Sequence, residues 1–310
     1  MRVLMVNATY GGVSGSGSAV ELLSMELLRR GIQVGLQTGD TSGCLPVPKL
    51  KSASFALIAK LRQKSDYDII HVHSPKFSAA VGRQSKNVLT VHGDFITELQ
   101  KSYGSLTSRL FDIWFRAERR KFKAITCVSP YWSKLRDWKY VPNGLDLHTI
   151  NEIPPSNERY VLFVGRKDKI KGYDIFEEAL RKTRYTYKVL GVHETLPRRQ
   201  VIALMKSAYC LVLPSRQEGM PYVILEAFAA GCPVIATDLP ALRSFGEGMI
   251  RFLINRDAES IRTAVKEVVE DQTLWNQLRR NGLEKAREYD IKKVAGQYIS
   301  IYEEVADLRT

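Results

Sequence analysis

In the stretch SRQEGMPYVILEAFAAGCPVIATD, Ser215 to Asp238, two glutamates stand with seven residues between them, Glu218 and Glu226, and the first is followed closely by a Gly and a Pro. Pro221 suits the first turn of a helix, because it has no N–H to lose and its φ is already helical. The spacing predicts a helix from about Pro221 to Ala230 with Gly231 capping its end. Glu218 then lies in the loop before the helix. Glu226 falls in the second turn, where a side chain leans back toward the N-terminus, so both acids can face one pocket. The amides near Tyr222 and Val223, with the positive end of the helix dipole, form a site for phosphate oxygens. A second-turn carboxylate is a good acceptor for two vicinal ribose hydroxyls, and one in the preceding loop sits where a sugar beyond a diphosphate would lie. That order matches a nucleotide sugar. The plainer alternative is a pair of acids that only complement the helix dipole.

A second group of chemically capable residues follows the strand pattern YVLFVG: Arg166, Lys167, Lys169 and Lys171. Two of these cations could neutralise the charge growing on a departing diphosphate. A loop at the C-terminal end of a strand is where open α/β sheets bind ligands, although a solvated basic loop is the competing reading. Asp66 to Asp68, DYD, has the form of a metal-binding pair but precedes its strand, so no metal is expected. His71 and His73 share one side of a strand with no further ligands nearby, and read as pocket or core histidines. Cys44, Cys127, Cys210 and Cys232 are widely spaced, which argues against a zinc site or a disulfide framework.

The elements that must position these residues are legible as a rhythm. RVLMVNA, a glycine-rich turn YGGVSGSGS and the amphipathic AVELLSMELLRRG make a strand, a loop and a helix. YDIIHVHS, NVLTVHG and AITCVS alternate with helical patterns such as 108–122. A turn-rich stretch places an interdomain linker near 147–159. RYVLFVG, a helix over about 173–182, YKVLGV, RQVIALMKSA, YCLVLPS and PVIAT repeat the rhythm. Ile291, Val294, Ala295, Tyr298, Ile301, Tyr302 and Val305 form one apolar stripe of a terminal helix that packs back on the body. The expectation is two doubly wound α/β domains, 1–150 and 151–310, facing a central cleft.

The chain has 310 residues, 45% apolar and 25% charged, with no run of roughly 18 apolar residues and no secretory leader pattern, which points to a cytoplasmic protein. Residues 1–150 hold 21 Lys and Arg against 11 Asp and Glu, a balance of +10, whereas residues 151–310 balance at +3. An excess in one half suggests an anionic partner, such as a membrane surface, a phosphorylated acceptor or nucleic acid, or else serves solubility alone. No nucleic-acid module or aromatic-interleaved basic stripe supports the third partner.

As a set, VGRKDKIKG and LPSRQEGMPYVILEAFAAGCPVIATD, with GGVSGSGSAVELLSMELLRRGIQV, DIIHVHS, TVHGD, CVSPYWSKL and VPNGLD in order, resemble the retaining glycosyltransferases of family 4, with the GT-B fold of two Rossmann-like domains. The resemblance covers nearly the whole chain. It implies that Arg166 and Lys171 bind the diphosphate of a UDP- or GDP-hexose, Glu226 the ribose, and Glu218 the hydroxyls of the transferred sugar. It places Gly219, Met220, Pro221, Tyr222 and Val223 around the donor. His92 would lie against the sugar and help stabilise an oxocarbenium-like charge, and Gly12 would let backbone approach the phosphates. No carboxylate stands out as a nucleophile below the anomeric carbon, so a front-face substitution is expected, with no cofactor. The acceptor would be a hydroxyl of a glycan, lipid or protein. A nucleotide-sugar epimerase or hydrolase with the same cleft is the alternative. The segment HETLPRRQ is shorter than the family's, so an element is trimmed there.

The segment LTSRLFDIWFRAERRKFKA mixes Leu106, Leu110, Phe111, Trp114 and Phe115 with six basic residues. Such a helix could lie at the inner face of a membrane. The favoured reading packs its apolar face into the first domain and leaves the basic face for anionic headgroups.

Overall fold

Alternation of buried residues along each strand explains the layers. In the computed structural model, which describes residues 1–12, 14–44, 51–62, 66–83, 86–192 and 196–307, Leu4 and Val6 face one apolar core and Val3 and Met5 the other. Both faces of the sheet are therefore covered, as a parallel sheet requires.

The chain divides into two compact units: Met1–Gly144 with Ile291–Thr310, and Leu145–Asp290. The first unit runs β1 (Arg2–Val6), α1 (Gly15–Arg29), β2 (Gln33–Gln37), α2 (Gly39–Ser42), α3 (Lys51–Leu61), β3 (Ile69–Val72), β4 (Asn87–Val91), α4 (Phe95–Tyr103), α5 (Ser105–Glu118), β5 (Ala124–Cys127), α6 (Pro130–Arg136) and β6 (Lys139–Tyr140). The second runs α7 (Leu147–Glu152), β7 (Val161–Val164), α8 (Tyr173–Leu180), β8 (Tyr187–Leu190), α9 (Arg198–Ser207), β9 (Cys210–Leu213), α10 (Tyr222–Ala230), β10 (Val234–Thr237), α11 (Pro240–Gly246), β11 (Ile250–Leu253), α12 (Ala258–Glu270) and α13 (Gln272–Ala286). α14 (Ile291–Val305) returns to the first unit.

Both sheets are parallel, in the orders β2-β1-β3-β4-β5-β6 and β11-β10-β9-β7-β8. The strand order reverses between β1 and β3 in the first and between β7 and β9 in the second. Loops leaving the C-terminal ends of two such strands diverge to opposite faces of the sheet and open a crevice between them.

The seven residues of the terminal apolar stripe are the buried residues of α14, and they join Val3, Met5, Ile69 and Val88 in one core. The first part of the stretch 147–159 is helical, α7, and it lies in the second unit, whose boundary falls before Leu145. Asp146 caps α7 by accepting from the Thr149 amide at 3.1 Å, and Lys206 Nζ donates to the Asn151 and Ile153 carbonyls at 3.1 and 2.6 Å. A cap and a lysine strut give the stretch a structure that its prolines alone conceal.

The segment 105–123 also departs from the favoured reading. Phe115 packs against Phe95 in the first unit's core, but Leu106, Leu110, Ile113 and Trp114 of the same helix are exposed. The helix has two apolar arcs, and one core can take only one. Residues 193–195 of the shortened HETLPRRQ segment and Val13 of the glycine-rich turn lie outside the described residues.

Candidate active site

At the switch point of the second sheet, the loops after β7 and β9 are joined by an ion pair. Lys171 Nζ lies 2.6 Å from Glu218 Oε1, with the lysine side chain 23% and the glutamate 7% exposed. Such a charge-assisted bond, largely withdrawn from water, is stronger than a surface pair because solvent screens it less. The backbones are joined as well, since the Arg216 amide donates to Ile170 O at 2.7 Å. Gly172 makes this approach possible. It has φ +74°, and a Cβ there would collide with the Pro214 carbonyl. Arg256 bonds across the same gap, donating from Nε to Pro214 O at 2.8 Å and from Nη2 to Lys169 O at 3.2 Å. No local motif marks Arg256, because its partners are 42 and 87 residues away.

α10 begins where Pro221 ends this loop, and no side chain caps it. Its first turn keeps the amide dipole unsealed by side chains. Gly231 ends the helix in the left-handed conformation, as the spacing predicts. Met220 is buried, while Gly219, Pro221, Tyr222 and Val223 are partly exposed. Glu226 lies on α10, 12% exposed, and Arg198 at the start of α9 reaches it at 2.8 Å. Burial pushes the Glu226 carboxyl above its ordinary range, and the Arg198 charge and hydrogen bond pull it back. The Arg198 guanidinium also lies 5.8 Å from the Tyr222 ring centre. Sequence reasoning missed Arg198; its position just after a prolyl turn gives no sign of the acid it serves.

Arg166 is placed differently. Its side chain is 76% exposed and pairs with Asp168 at 3.3 Å, within its own loop. The structure thus joins Lys171 to Glu218 and Arg198 to Glu226, and leaves Arg166 at the loop surface.

In the first unit the glycine-rich loop folds onto the start of α1. Ser14 caps the helix by accepting from the Gly17 amide at 3.0 Å, and Gly11 N donates to Gly17 O at 3.1 Å. A Cβ at Gly17 would strike the Gly11 carbonyl, whereas one at Gly12 would meet open space. Packing within the loop therefore demands glycine at 17 and makes no such demand at 12.

His92 follows β4 and stacks on His73, with His73 Nδ1 3.1 Å from His92 Nε2. The His73 ring lies 4.0 Å from that of His71, tilted by 34°, and the His71 ring nitrogens lie 2.7 Å from the Tyr302 hydroxyl and 2.6 Å from the Thr90 hydroxyl. Tyr298 joins at 3.0 Å from Thr90. Desolvation lowers His92 to about 4 and His71 to about 3, and takes His73 well below its ordinary value. All three imidazoles are neutral at pH 7, so each has one ring N–H to give and one nitrogen to receive.

Asp68 of DYD accepts from the Arg2 amide at 2.7 Å, at the N-terminal edge of the sheet and away from the strand ends that carry these residues. Among the described residues no group of three or more His, Cys, Asp and Glu could hold a metal ion. Cys127, Cys210 and Cys232 are buried, burial raising each thiol, and Cys44 is partly buried; all are free.

Residues 13–148 match the family model described as Glycosyltransferase Family 4, and residues 187–271 match the one described as Glycosyl transferases group 1. An uncharacterized glycosyltransferase of Methanocaldococcus jannaschii is 26% identical over 273 residues, covering 77% of this chain and 76% of its own. A phosphatidyl-myo-inositol mannosyltransferase of Mycobacterium leprae is 26% identical over 284 residues, 78% and 74% of the two chains. Among solved structures, sucrose-phosphate synthase of Thermosynechococcus elongatus superposes with a TM-score of 0.84 at 16% identity, over 100% of both chains. An Anabaena protein in complex with UDP-glucose, Alr3699/HepE, superposes at 0.75 with 14% identity, over 98% of this chain and 100% of its own. With one family model along the first unit, another within the second, and parallel sheets matching those folds, this chain belongs to the group 1, family 4 glycosyltransferases and has the GT-B fold.

Proposed function

We propose that the protein transfers a hexose from a uridine or guanosine diphosphate sugar to a hydroxyl of a glycan, lipid or protein acceptor, with retention of configuration and without a metal. The observation that carries this reading is the Lys171–Glu218 pair at the β7/β9 switch point, next to the uncapped start of α10. The names of relatives support the donor and acceptor classes: one is a lipid mannosyltransferase and one was solved with UDP-glucose.

In this reading the α10 amides, Lys171 and Arg166 receive the diphosphate. Glu226 accepts the ribose hydroxyls, and Arg198 keeps it ionised and aimed. Glu218, fixed by Lys171, accepts hydroxyls of the transferred sugar, with Gly219 to Val223 forming the surrounding wall. The bond from the anomeric carbon to the phosphate oxygen breaks as the acceptor oxygen bonds the same face of that carbon, and the leaving phosphate takes the acceptor's proton. Lys171 and Arg166 offset the negative charge as it develops. His92 hydrogen-bonds the sugar, and its neutrality matters: an imidazolium would repel an oxocarbenium-like ring, while a neutral imidazole does not. The protein is proposed to act at the inner face of a membrane.

Product stereochemistry read by NMR tests the mechanism; an inverted anomeric centre would refute front-face transfer. A thermal-shift panel of nucleotide sugars tests the donor class, since a ligand that binds only the folded state raises its melting temperature. A panel in which no nucleotide sugar shifts the melt removes the donor assignment.

A further inference from the structure

α5 carries two apolar arcs. One, with Phe111 and Phe115, packs against Phe95, with ring centres 5.8 and 5.2 Å away. On the other, Leu106, Leu110, Ile113 and Trp114 are 71%, 59%, 66% and 37% exposed. At about 100° per residue these four fall within an arc of about 100°. Isolated exposed leucines are ordinary, but four large apolar side chains in one contiguous stripe are not.

Charge says what this stripe fits. The same helical spacing sets Arg109 and Arg116 along one flank of it, and Arg120 follows in the 3-10 turn after the helix ends. The acids of the segment are already engaged, Asp112 with Arg116 at 2.7 Å and Glu118 with Lys121 at 2.6 Å. Arg109, Arg120 and Lys123 are exposed and pair with no carboxylate among the described residues. A second copy of the chain would bring a like-charged flank to the same place, on a molecule of net charge +13.

We propose that this face of α5 lies flat on an anionic lipid bilayer, with Leu110, Ile113 and Trp114 entering the interfacial layer and Arg109, Arg116 and Arg120 meeting the headgroup phosphates. An amphipathic helix with an aromatic residue on its apolar arc and arginines beside it suits that boundary, where each part finds its own solvent. The inference gives a place and a manner to the membrane-acting part of the function proposed above, and is independent of the transfer chemistry.

The test is sedimentation of the full chain with vesicles of phosphatidylcholine alone and with about 30% phosphatidylglycerol. Binding to the anionic vesicles should be at least about 10-fold tighter and should largely vanish in about 0.5 M salt. Leu110→Asp with Ile113→Asp, and separately Arg109→Glu with Arg120→Glu, should each weaken it about 10-fold or more. All four positions are exposed, so thermal melts and the donor-induced thermal shift should match the wild type; this separates loss of docking from loss of the donor site. Equal binding to neutral and anionic vesicles, or undiminished binding by the aspartate variant, overturns the proposal. So does a lipid-free dimer that the aspartate variant abolishes, which would assign the stripe to a second copy.

Discussion

The two units build their key residues on the same kind of parallel sheet yet arrive at opposite electrostatics. At the ends of β3 and β4 the first unit groups three imidazoles, His71 held by the hydroxyls of Thr90 and Tyr302 and His73 paired with His92, and desolvation keeps them neutral. Beyond β7 and β9, the second unit holds two glutamates with low exposure, each matched to a cation. The difference teaches that topology supplies the crevice while the side chains decide its charge. In the proposed transfer, a neutral group suits contact with a sugar that becomes positive, and fixed ions suit a leaving group that becomes negative.

The sharpest break of this comparison is at the ion pair. Lys171→Ala should lower kcat by about 10²–10³ with little change in donor KM, because a cation that meets developing charge acts in the transition state. Glu218→Ala should also act mainly on kcat. In a double-mutant cycle the two losses should fall short of additive, since each variant already removes the 2.6 Å pair; fully additive losses in steady-state assays would show that the pair does not act as a unit. Gly172→Ala is expected to cost about 1–3 kcal/mol of stability and to reduce turnover as well, because the left-handed φ and the Pro214 carbonyl both oppose a side chain. Urea unfolding would measure it.

Glu226→Ala should raise donor KM about 10-fold and leave kcat near wild type, the signature of lost uniform binding. Arg198→Met should have a similar but weaker effect with a distinct pH signature. Glu226 already titrates above its ordinary range, so donor affinity falls as pH drops through that raised value; without Arg198 the value rises further and the fall begins at higher pH. A KM–pH profile identical to wild type would refute the positioning role. Arg198→Lys should restore most of the profile.

The first unit should show its neutrality in stability. His71 and His92 titrate below the free imidazole value, so the unfolded chain binds more protons than the folded one as pH falls from about 6.5 toward about 4. Stability is complete above that window and is lost on descending through it, on the order of 3 kcal/mol from His92 alone. Thermal melts from pH 7 to 4 read this, and a flat profile would mean the stack tolerates charge. The smallest effect is expected at Arg166→Ala, a few-fold in kcat, because that side chain is 76% exposed and already shared with Asp168.

Much of this was legible from residue types and spacing. Buried strands such as VLFV, CLVL and VIAT carry the runs of a parallel sheet covered on both faces. Pro221 and Gly231 bound α10, and the stripe over 291–305 names the buried side of α14. Glu218 and the basic loop declared themselves because a helix start and a strand end are local facts. Arg198 and Arg256 did not, since their partners are brought near only by the strand order. Nor could periodicity say which apolar arc of α5 would be buried, because both arcs satisfy the same helical spacing.

The amino-acid order alone was enough for the elements, their α/β rhythm and the residue types able to handle a diphosphate, because these depend on neighbours a few positions apart. Pairing was decided by the folded chain. Lys171 meets Glu218 across 47 residues and Tyr302 meets His71 across 231, contacts that exist only once the sheet order and the return of α14 have been settled by burial of their apolar faces.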